Sequence, residues 1–331
     1  MRNLNLNLSL SSIFYLIPLY FLVIAPLLRQ LDFVPSTPFN NAHTNSLDDL
    51  DDLDDIDTSQ TLNPDVLSLD DGIPLTCPAE SPSDTYKIHI LSSHSPLVIY
   101  IEDFLSQSES AHLVNISLPN YTPSTLYSSS LDSETPETPN IDQTKRLSDR
   151  ALLPRDTTVR CIEARARAFQ GWKPHLYIER MWAQRYNVSG HYTHHYDWAG
   201  TARGRGGDRF STFMVYLKSE GVVGGGTNFP YLRMPRDRKW CEFVECAEDE
   251  GEEEGSSEGG GQKGRARARA RAGTQGVTFK PIQGNAVFWE NLRSDGSGWP
   301  ETLHAAFPVE EGEKVGLNIW SWYQPPEGRW M

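Results

Sequence analysis

A series of short strand-like segments in the second half of the chain constrains the fold most. Seven segments between residues 175 and 323 show the period of two that is typical of strands, and turn-forming residues separate them. A helical period in the segment from Val159 to Phe169 precedes them. We therefore predict an α+β fold with a mainly β core, an antiparallel barrel or jelly roll, and supporting helices at its N-terminal side. The seven segments are HLYIERMWAQRY, HYTHHYDW, RFSTFMVYL, VTFKP, NAVFW, LHAAFPV and KVGLNIWSWY.

The N-terminus of the chain has the composition of a targeting segment. Residues 12–28 are a charge-free apolar run between Arg2 and Arg29, longer than most signal-peptide cores and shorter than a full membrane span. No clear cleavage site follows, which favours an uncleaved signal anchor in residues 1–29 over a removed signal peptide. We therefore expect a secretory-pathway membrane, such as that of the endoplasmic reticulum, with the folded domain in the lumen.

Three further regions complete the predicted domain organisation. Residues 30–84 are acidic and of low complexity, which predicts a stem. Residues 85–325 contain the helical and strand patterns and form the predicted folded domain. Within it, residues 247–276 join an acidic block, a Gly/Ser block and an Arg-Ala repeat, which predicts a disordered insertion. The net charge of −14 lies largely in the acidic runs and argues against nucleic acid as a partner.

Cysteines and glycosylation sequons agree with an oxidising lumen. Four cysteines would be free to pair there, and Cys241 with Cys246 is the favoured local disulfide. A zinc site is disfavoured because no CxxC pair is present. The other two cysteines are Cys77 and Cys161, and the sequons begin at Asn115, Asn120 and Asn187.

The segment YNVSGHYTHHYD, which ends at Asp197, carries the densest chemical signal. Alternate residues of a strand face the same side, so His195 and Asp197 present an imidazole and a carboxylate together and could bind one metal ion. His191 shares this face and is the main rival ligand. His194 points to the opposite face.

His304 supplies a third candidate ligand from the same series of strands. Two histidines and one carboxylate form the facial triad that is typical of non-haem Fe(II) oxygenases, which leaves three coordination positions for a cosubstrate and O2. Lys314 begins the strand KVGLNIWSWY and shares a face with Trp320. Its ammonium could bind a carboxylate. A lysine at the surface of an edge strand is the alternative, which the triad disfavours.

These motifs resemble those of the prolyl 4-hydroxylase branch of the 2-oxoglutarate and Fe(II)-dependent dioxygenases. The family patterns Y-x-x-G-x-x-Y-x-x-H-x-D, R-x-x-T-x-L-x-Y-L and G-G-x-T-x-F-P are similar to YNVSGHYTHHYD, RFSTFMVYL and GGGTNFP. Later family motifs are similar to KPIQGNAVFW, LHAAFPVEEGEK and LNIW, and the likeness covers roughly residues 85–323. Ser189 departs from the pattern because it stands where the family has glycine, Gly190 stands where glutamine is common, and Met214 replaces a smaller apolar residue.

The resemblance implies a double-stranded β-helix core that hydroxylates prolyl residues of a protein or peptide substrate. It also implies Fe(II) and 2-oxoglutarate, O2 as the oxidant, and ascorbate as the reductant. By this resemblance Fe(II) is bound by His195, Asp197 and His304, the distal carboxylate of 2-oxoglutarate is bound by Lys314 and Tyr186, and further pocket positions are Thr227 and Trp320.

Three alternatives stay open at this point. A related dioxygenase could act on another substrate, and a cupin-like oxygenase would need no 2-oxoglutarate. A non-catalytic luminal binding protein could keep the same fold, although the intact ligand set argues against it. The sequence does not indicate an oligomeric state.

Overall fold

The computed structural model describes residues 62–78, 86–126, 141–202, 206–246 and 275–326, together with Trp330. The predicted signal anchor, most of the predicted stem and nearly all of the predicted insertion lie outside the described residues. No helix within the described ranges is long and apolar enough to cross a membrane.

Besides three short 3-10 helices (Leu118–Asn120, Arg238–Glu242 and Pro300–Thr302), the described residues form two α-helices and sixteen strands. The helices are α1 (Gln107–Ser117) and α2 (Thr157–Phe169). The strands are β1 (Lys87–Ser92), β2 (Val98–Glu102), β3 (Thr122–Pro123), β4 (Arg146–Leu147), β5 (Asp149–Leu152), β6 (Leu176–Ile178), β7 (Trp182–Tyr186), β8 (His191–His195), β9 (Asp208–Lys218), β10 (Val223–Gly224), β11 (Thr227–Phe229), β12 (Val277–Phe279), β13 (Ala286–Glu290), β14 (His304–Ala306), β15 (Val309–Glu311) and β16 (Lys314–Tyr323).

The strands form a large sheet, a smaller sheet and one short pair. The large sheet has the order β1-β2-β13-β9-β16-β7-β5-β3, with β6 also paired to β16. The smaller sheet has the order β12-β11-β14-β8-β4, and β10 pairs with β15. Neighbouring strands run antiparallel in both sheets, for example β16 beside β9 and β14 beside β8. The predicted mainly β, double-stranded β-helix core of jelly-roll type is confirmed by this topology.

Two apolar cores hold these layers together. One core lies between the sheets, where Tyr216 and Trp289 of the large sheet pack with Phe229 and Phe279 of the smaller one. The other core lies between the large sheet and the helices, where Leu113 and Ile162 belong to the same cluster as strand residues. The large sheet is therefore covered on both faces, as the predicted supporting helices require.

Strand β16 shows how residue alternation sorts side chains between the two cores. Val315, Leu317 and Ile319 belong to the core beneath the helices. Successive side chains of a strand point to opposite faces, so Lys314 and Trp320 lie on the side of the smaller sheet. Strand β16 therefore places the ammonium of Lys314 and the indole of Trp320 in the space between the sheets.

Residues 62–78, which lie within the predicted stem, pack against the folded domain. Leu67 is buried and forms an antiparallel bridge with Glu179, and a disulfide joins Cys77 to Cys161 of α2. The second disulfide joins Cys241 to Cys246, which confirms the favoured local pairing. The part of the chain that folds with the β core thus begins earlier than residue 85.

The loop between β7 and β8 contains a residue in a left-handed conformation. Ser189 has a φ of 69°, which explains why a glycine suits this position better. Next to it, a Cβ atom on Gly190 would lie 2.7 Å from the carbonyl oxygen of Asn187. A glutamine therefore does not fit at residue 190 with this backbone, and the loop before the metal ligands has its own shape.

We expect Ser189→Gly to stabilise the protein by about 1 kcal/mol, because glycine has no Cβ to oppose the left-handed backbone. Such a gain corresponds to a rise in Tm of roughly 2–4 °C for a domain of this size. Thermal denaturation of protein from a bacterial host measures it, since the substitution also removes the Asn187 sequon. Ser219→Gly, at a serine outside the positive-φ set, is the matched control and should lower the Tm. A lower Tm for Ser189→Gly than for the wild type would show that the left-handed backbone at residue 189 is not strained.

Candidate metal centre

The centre is built where the smaller sheet pairs β8 with β14. His195 lies directly opposite His304 in this pairing, and their ring centroids are 4.3 Å apart. Asp197 follows β8 by two residues and is buried. Its carboxylate oxygens lie 3.8 Å from the Nε2 atoms of both histidines. The three residues offer ligand atoms that all lie within 4.8 Å of one another.

Backbone carbonyls determine which ring nitrogen of each histidine faces this cluster. The Nδ1 atom of His195 lies 2.8 Å from the carbonyl oxygen of Thr193, and that of His304 lies 2.9 Å from the carbonyl oxygen of Thr302. A carbonyl can only accept, so Nδ1 carries the hydrogen in both rings. Both Nε2 lone pairs are then free for a metal ion.

The charges of the cluster suit a divalent cation. Burial, together with the neighbouring His304, lowers the pKa of His195 to about 3, so its ring is neutral at physiological pH. Burial alone would raise the pKa of Asp197, but His304, His195 and Arg209 lower it further than burial raises it. Two imidazole nitrogens and one ionised carboxylate fit Fe(II) as a facial triad with open positions.

Strand alternation alone does not place Tyr192 and His191 correctly. Residue pairing between β8 and β14 shifts between Tyr192 and His195, so that Tyr192 lies opposite Ala306. Tyr192 stacks on His195, with ring centroids 3.6 Å apart, and therefore shares its face. The side chain of His191 instead contacts two backbone carbonyls, those of Ser189 and Thr144. The rival ligand is thus not part of the cluster.

His194 lies on the other side of β8, as the sequence indicated. Its Nε2 atom lies 3.0 Å from Oδ1 of Asn228, on β11, which is separated from β8 by β14 in the smaller sheet. This contact lies within the smaller sheet and does not involve the three clustered ligands.

Lys314 places a buried cation between the sheets. Its side chain is fully buried, its Nζ donates a hydrogen bond of 2.6 Å to the carbonyl oxygen of Gly225, and it lies 4.6 Å from the centre of the Tyr186 ring. Within the described ranges, no ion pair joins this ammonium to a carboxylate. Burial lowers the pKa of Lys314 to about 7. A buried cation without a counter-ion favours an anionic ligand.

The remaining candidate pocket residues lie on the strands around Lys314. Tyr186 pairs directly with Lys314 across β7 and β16, and its hydroxyl donates to Gln184 over 2.8 Å. Thr227 begins β11 and accepts a hydrogen bond from Tyr216. Trp320 lies further along β16, and its buried indole Nε1 has no hydrogen-bond partner among the described residues.

Comparison with known proteins identifies the family. A family model described as the 2OG-Fe(II) oxygenase superfamily matches residues 181–322, which include the three clustered ligands and Lys314. The chain therefore contains a 2OG-Fe(II) oxygenase domain. It is a 2-oxoglutarate-dependent dioxygenase, and the resemblance read from its motifs is confirmed.

The curated relatives of this dioxygenase are prolyl 4-hydroxylases. Probable prolyl 4-hydroxylase 3 of Arabidopsis thaliana is 27% identical over 234 residues, which cover 69% of this chain and 70% of the relative. Prolyl 4-hydroxylase subunit alpha-3 of Bos taurus is 26% identical and aligns with 68% of this chain but only 33% of the relative. Among solved structures, the 2OG complex of viral collagen prolyl hydroxylase from Paramecium Bursaria Chlorella virus-1 is 23% identical, with a TM-score of 0.44, and covers 68% of this chain and 96% of the other.

Several residues that contact the dioxygenase centre were not singled out from the sequence. Arg209 donates to the Asp197 carbonyl oxygen over 3.3 Å, forms an ion pair with Glu179 and lies 3.8 Å from the centre of the Trp320 ring. Thr212 donates a hydrogen bond to the Asp197 carboxylate. Both residues belong to the motif RFSTFMVYL, and this motif is the sequence signal by which they could have been found.

Proposed function

We propose that this dioxygenase is a prolyl 4-hydroxylase that hydroxylates peptidyl proline and converts 2-oxoglutarate and O2 into succinate and CO2. The observation that carries the proposal is the cluster of His195, Asp197 and His304 together with the buried ammonium of Lys314, which forms no ion pair with any described residue. The names of the curated relatives support proline as the substrate residue.

In this proposal each site residue has one role. His195, Asp197 and His304 hold Fe(II), which, when bound with its cosubstrates, supplies the oxidising power for inserting oxygen into a C–H bond. The remaining groups bind 2-oxoglutarate. Lys314 pairs with its distal carboxylate, Tyr186 packs beside the same group, and Thr227 and Trp320 line the pocket.

The protein itself contributes orientation and exclusion of water. Carbonyl acceptors at Thr193 and Thr302 bind the Nδ1–H group of each ring, so that Nε2 faces the cluster. The aromatic side chains of Phe229 and Trp289 pack against His304, with ring centroids 5.4 and 4.8 Å away, and shield that side of the centre. The electrostatic interaction between Lys314 and a carboxylate is stronger in this buried position than it would be in water.

Mass spectrometry of peptides incubated with the full chain tests the proposed function. We expect proline-containing peptides to gain the mass of one oxygen atom when Fe(II), 2-oxoglutarate, O2 and ascorbate are present, and succinate to form in equal amount. The same peptides with proline replaced by alanine are the control. Succinate formation that depends on a peptide but adds oxygen to a residue other than proline would show a related dioxygenase with another substrate.

We further propose that the protein is a glycosylated, membrane-anchored enzyme whose catalytic domain faces the lumen of the endoplasmic reticulum or another secretory compartment. Two disulfides support an oxidising environment, and the sequon residues Asn115, Asn120 and Asn187 are all exposed. Treatment of the protein from its own cells with an N-glycosidase should increase its gel mobility, and alkaline carbonate should leave it in the membrane fraction. Unchanged gel mobility would contradict glycosylation, and release by carbonate would contradict membrane anchoring.

A further inference from the structure

A row of buried polar side chains connects the core between the sheets to the metal ligand Asp197. The hydroxyl of Thr212 lies 2.8 Å from Oδ2 of Asp197 and 2.9 Å from Nδ2 of Asn291. Oδ1 of Asn291 lies 2.8 Å from Nε1 of Trp289. Thr212 and Asn291 are fully buried, and Trp289 is 1% exposed. Water therefore does not compete with these hydrogen bonds.

The chemistry of the groups determines the direction of every hydrogen bond in this row. The indole Nε1 of Trp289 can only donate, so the atom of Asn291 that faces it is the carbonyl oxygen. The amide nitrogen of Asn291 then faces Thr212 and donates to its hydroxyl. The hydroxyl has one hydrogen, which is left for Asp197. The ionised carboxylate thus receives a charge-assisted hydrogen bond whose donor cannot turn away without losing its own partners.

Trp289 also contacts a second ligand. Its ring meets that of His304 edge-on, with centroids 4.8 Å apart, and Phe229 packs against both rings. One residue of β13 is therefore in contact with His304 directly and with Asp197 through two intermediates. Both contacts originate on the large sheet, whereas His195 and His304 are held by the smaller one.

We propose that the row Trp289, Asn291 and Thr212 is a positioning relay that orients the Asp197 carboxylate for the metal ion and thereby sets the metal affinity of the centre. The relay acts through the hydroxyl of Thr212, which holds one carboxylate oxygen and so prevents rotation of the group. Partners of this kind around metal ligands typically change metal affinity about 10- to 100-fold when they are lost.

Thr212→Val tests the relay, because valine keeps the shape of threonine and removes the hydroxyl. Titration of the full chain with Co(II), followed by its visible absorption, measures the Kd and reports the coordination of the ion. We expect the Kd to rise about 10- to 100-fold and the absorption spectrum to change. Thr212→Ser restores the hydroxyl and should return the Kd close to that of the wild type. Thr278→Val, which removes a buried hydroxyl from β12, is the matched control and should bind Co(II) normally.

Trp289→Phe provides an independent variant, since it keeps an aromatic ring against His304 and removes the N–H that orients Asn291. We expect a rise in the Co(II) Kd here too, smaller than for Thr212→Val. An unchanged Kd in Thr212→Val protein that melts cooperatively would overturn the proposal, even if its Tm were lower. The proposal rests on the metal centre and not on the substrate, so wild-type protein that binds Co(II) but hydroxylates no peptide would leave the relay standing.

Discussion

His195→Ala is expected to reduce 2-oxoglutarate turnover by at least about a hundredfold, because it removes a metal ligand and leaves only His304 and Asp197 in the centre. Loss of a group that merely orients a ligand already costs about 10- to 100-fold in affinity or activity. Among the described residues His191 does not replace the imidazole of His195, since its ring contacts the carbonyl oxygens of Ser189 and Thr144. Succinate formation and Co(II) binding should decline together.

His194→Ala is the matched control for this prediction. It removes an adjacent histidine on the same strand whose Nε2 contacts Asn228 and not the cluster. We expect turnover to stay close to that of the wild type, with a modest loss of thermal stability from the broken hydrogen bond. If His194→Ala abolished turnover and His195→Ala preserved it, the strand register described for β8 would be wrong.

Lys314→Met is expected to raise the Kd for 2-oxoglutarate about 30-fold or more, because truncating one partner of a buried charge pair costs about 2–5 kcal/mol. Methionine keeps most of the apolar stem of the lysine and removes its charge. Isothermal titration in the presence of Co(II) and the absence of turnover measures binding directly. Lys218→Met is the control, since Lys218 pairs with Glu313 in a partly exposed position on the adjacent strand. A similar rise in both variants would show a general effect of net charge.

The pH dependence of 2-oxoglutarate binding follows from the same lysine. The pKa of Lys314 in the free protein is about 7, lowered by burial, and a bound carboxylate raises it. Below pH 7 the ammonium is charged in both states and affinity is constant. Above pH 7 the free protein must take up a proton to bind, so affinity falls by up to about tenfold per pH unit. Lys314→Met should lack this dependence; a wild-type affinity that is constant between pH 7 and pH 9 would contradict it.

Much of the candidate site follows from residue types and their order along the chain. The local patterns are a His-x-Asp pair in a strand, a later histidine and a lysine ten residues beyond it. Each pattern limits the ligands that the site can bind, whatever the final arrangement of the strands. For Lys314 the alternation of β16 agrees with the simple period of two. The same period sorted Val315, Leu317 and Ile319 to the core beneath the helices.

Departures from regular strand pairing explain why the period of two misplaces Arg209 and Tyr192. The partners of β9 shift between Arg209 and Ser211. Simple alternation would place Arg209 on the same face as Phe213, beneath the helices, yet its guanidinium reaches the carbonyl oxygen of Asp197. A comparable shift in β8 brings Tyr192 onto His195. An irregularity of one residue reverses the face of everything beyond it, and no short sequence pattern reports where it occurs.

The chain's own order of residues was thus sufficient for the fold class, the three clustered ligands and the lysine, because strand period and motif spacing are local properties. The relay from Trp289 through Asn291 and Thr212 to Asp197 is different. Its four members come from three separate parts of the chain and from both sheets. Only the packing of one sheet on the other decides that a threonine hydroxyl meets a carboxylate, since a hydrogen bond depends on distances of a few tenths of an ångström that sequence separation does not contain.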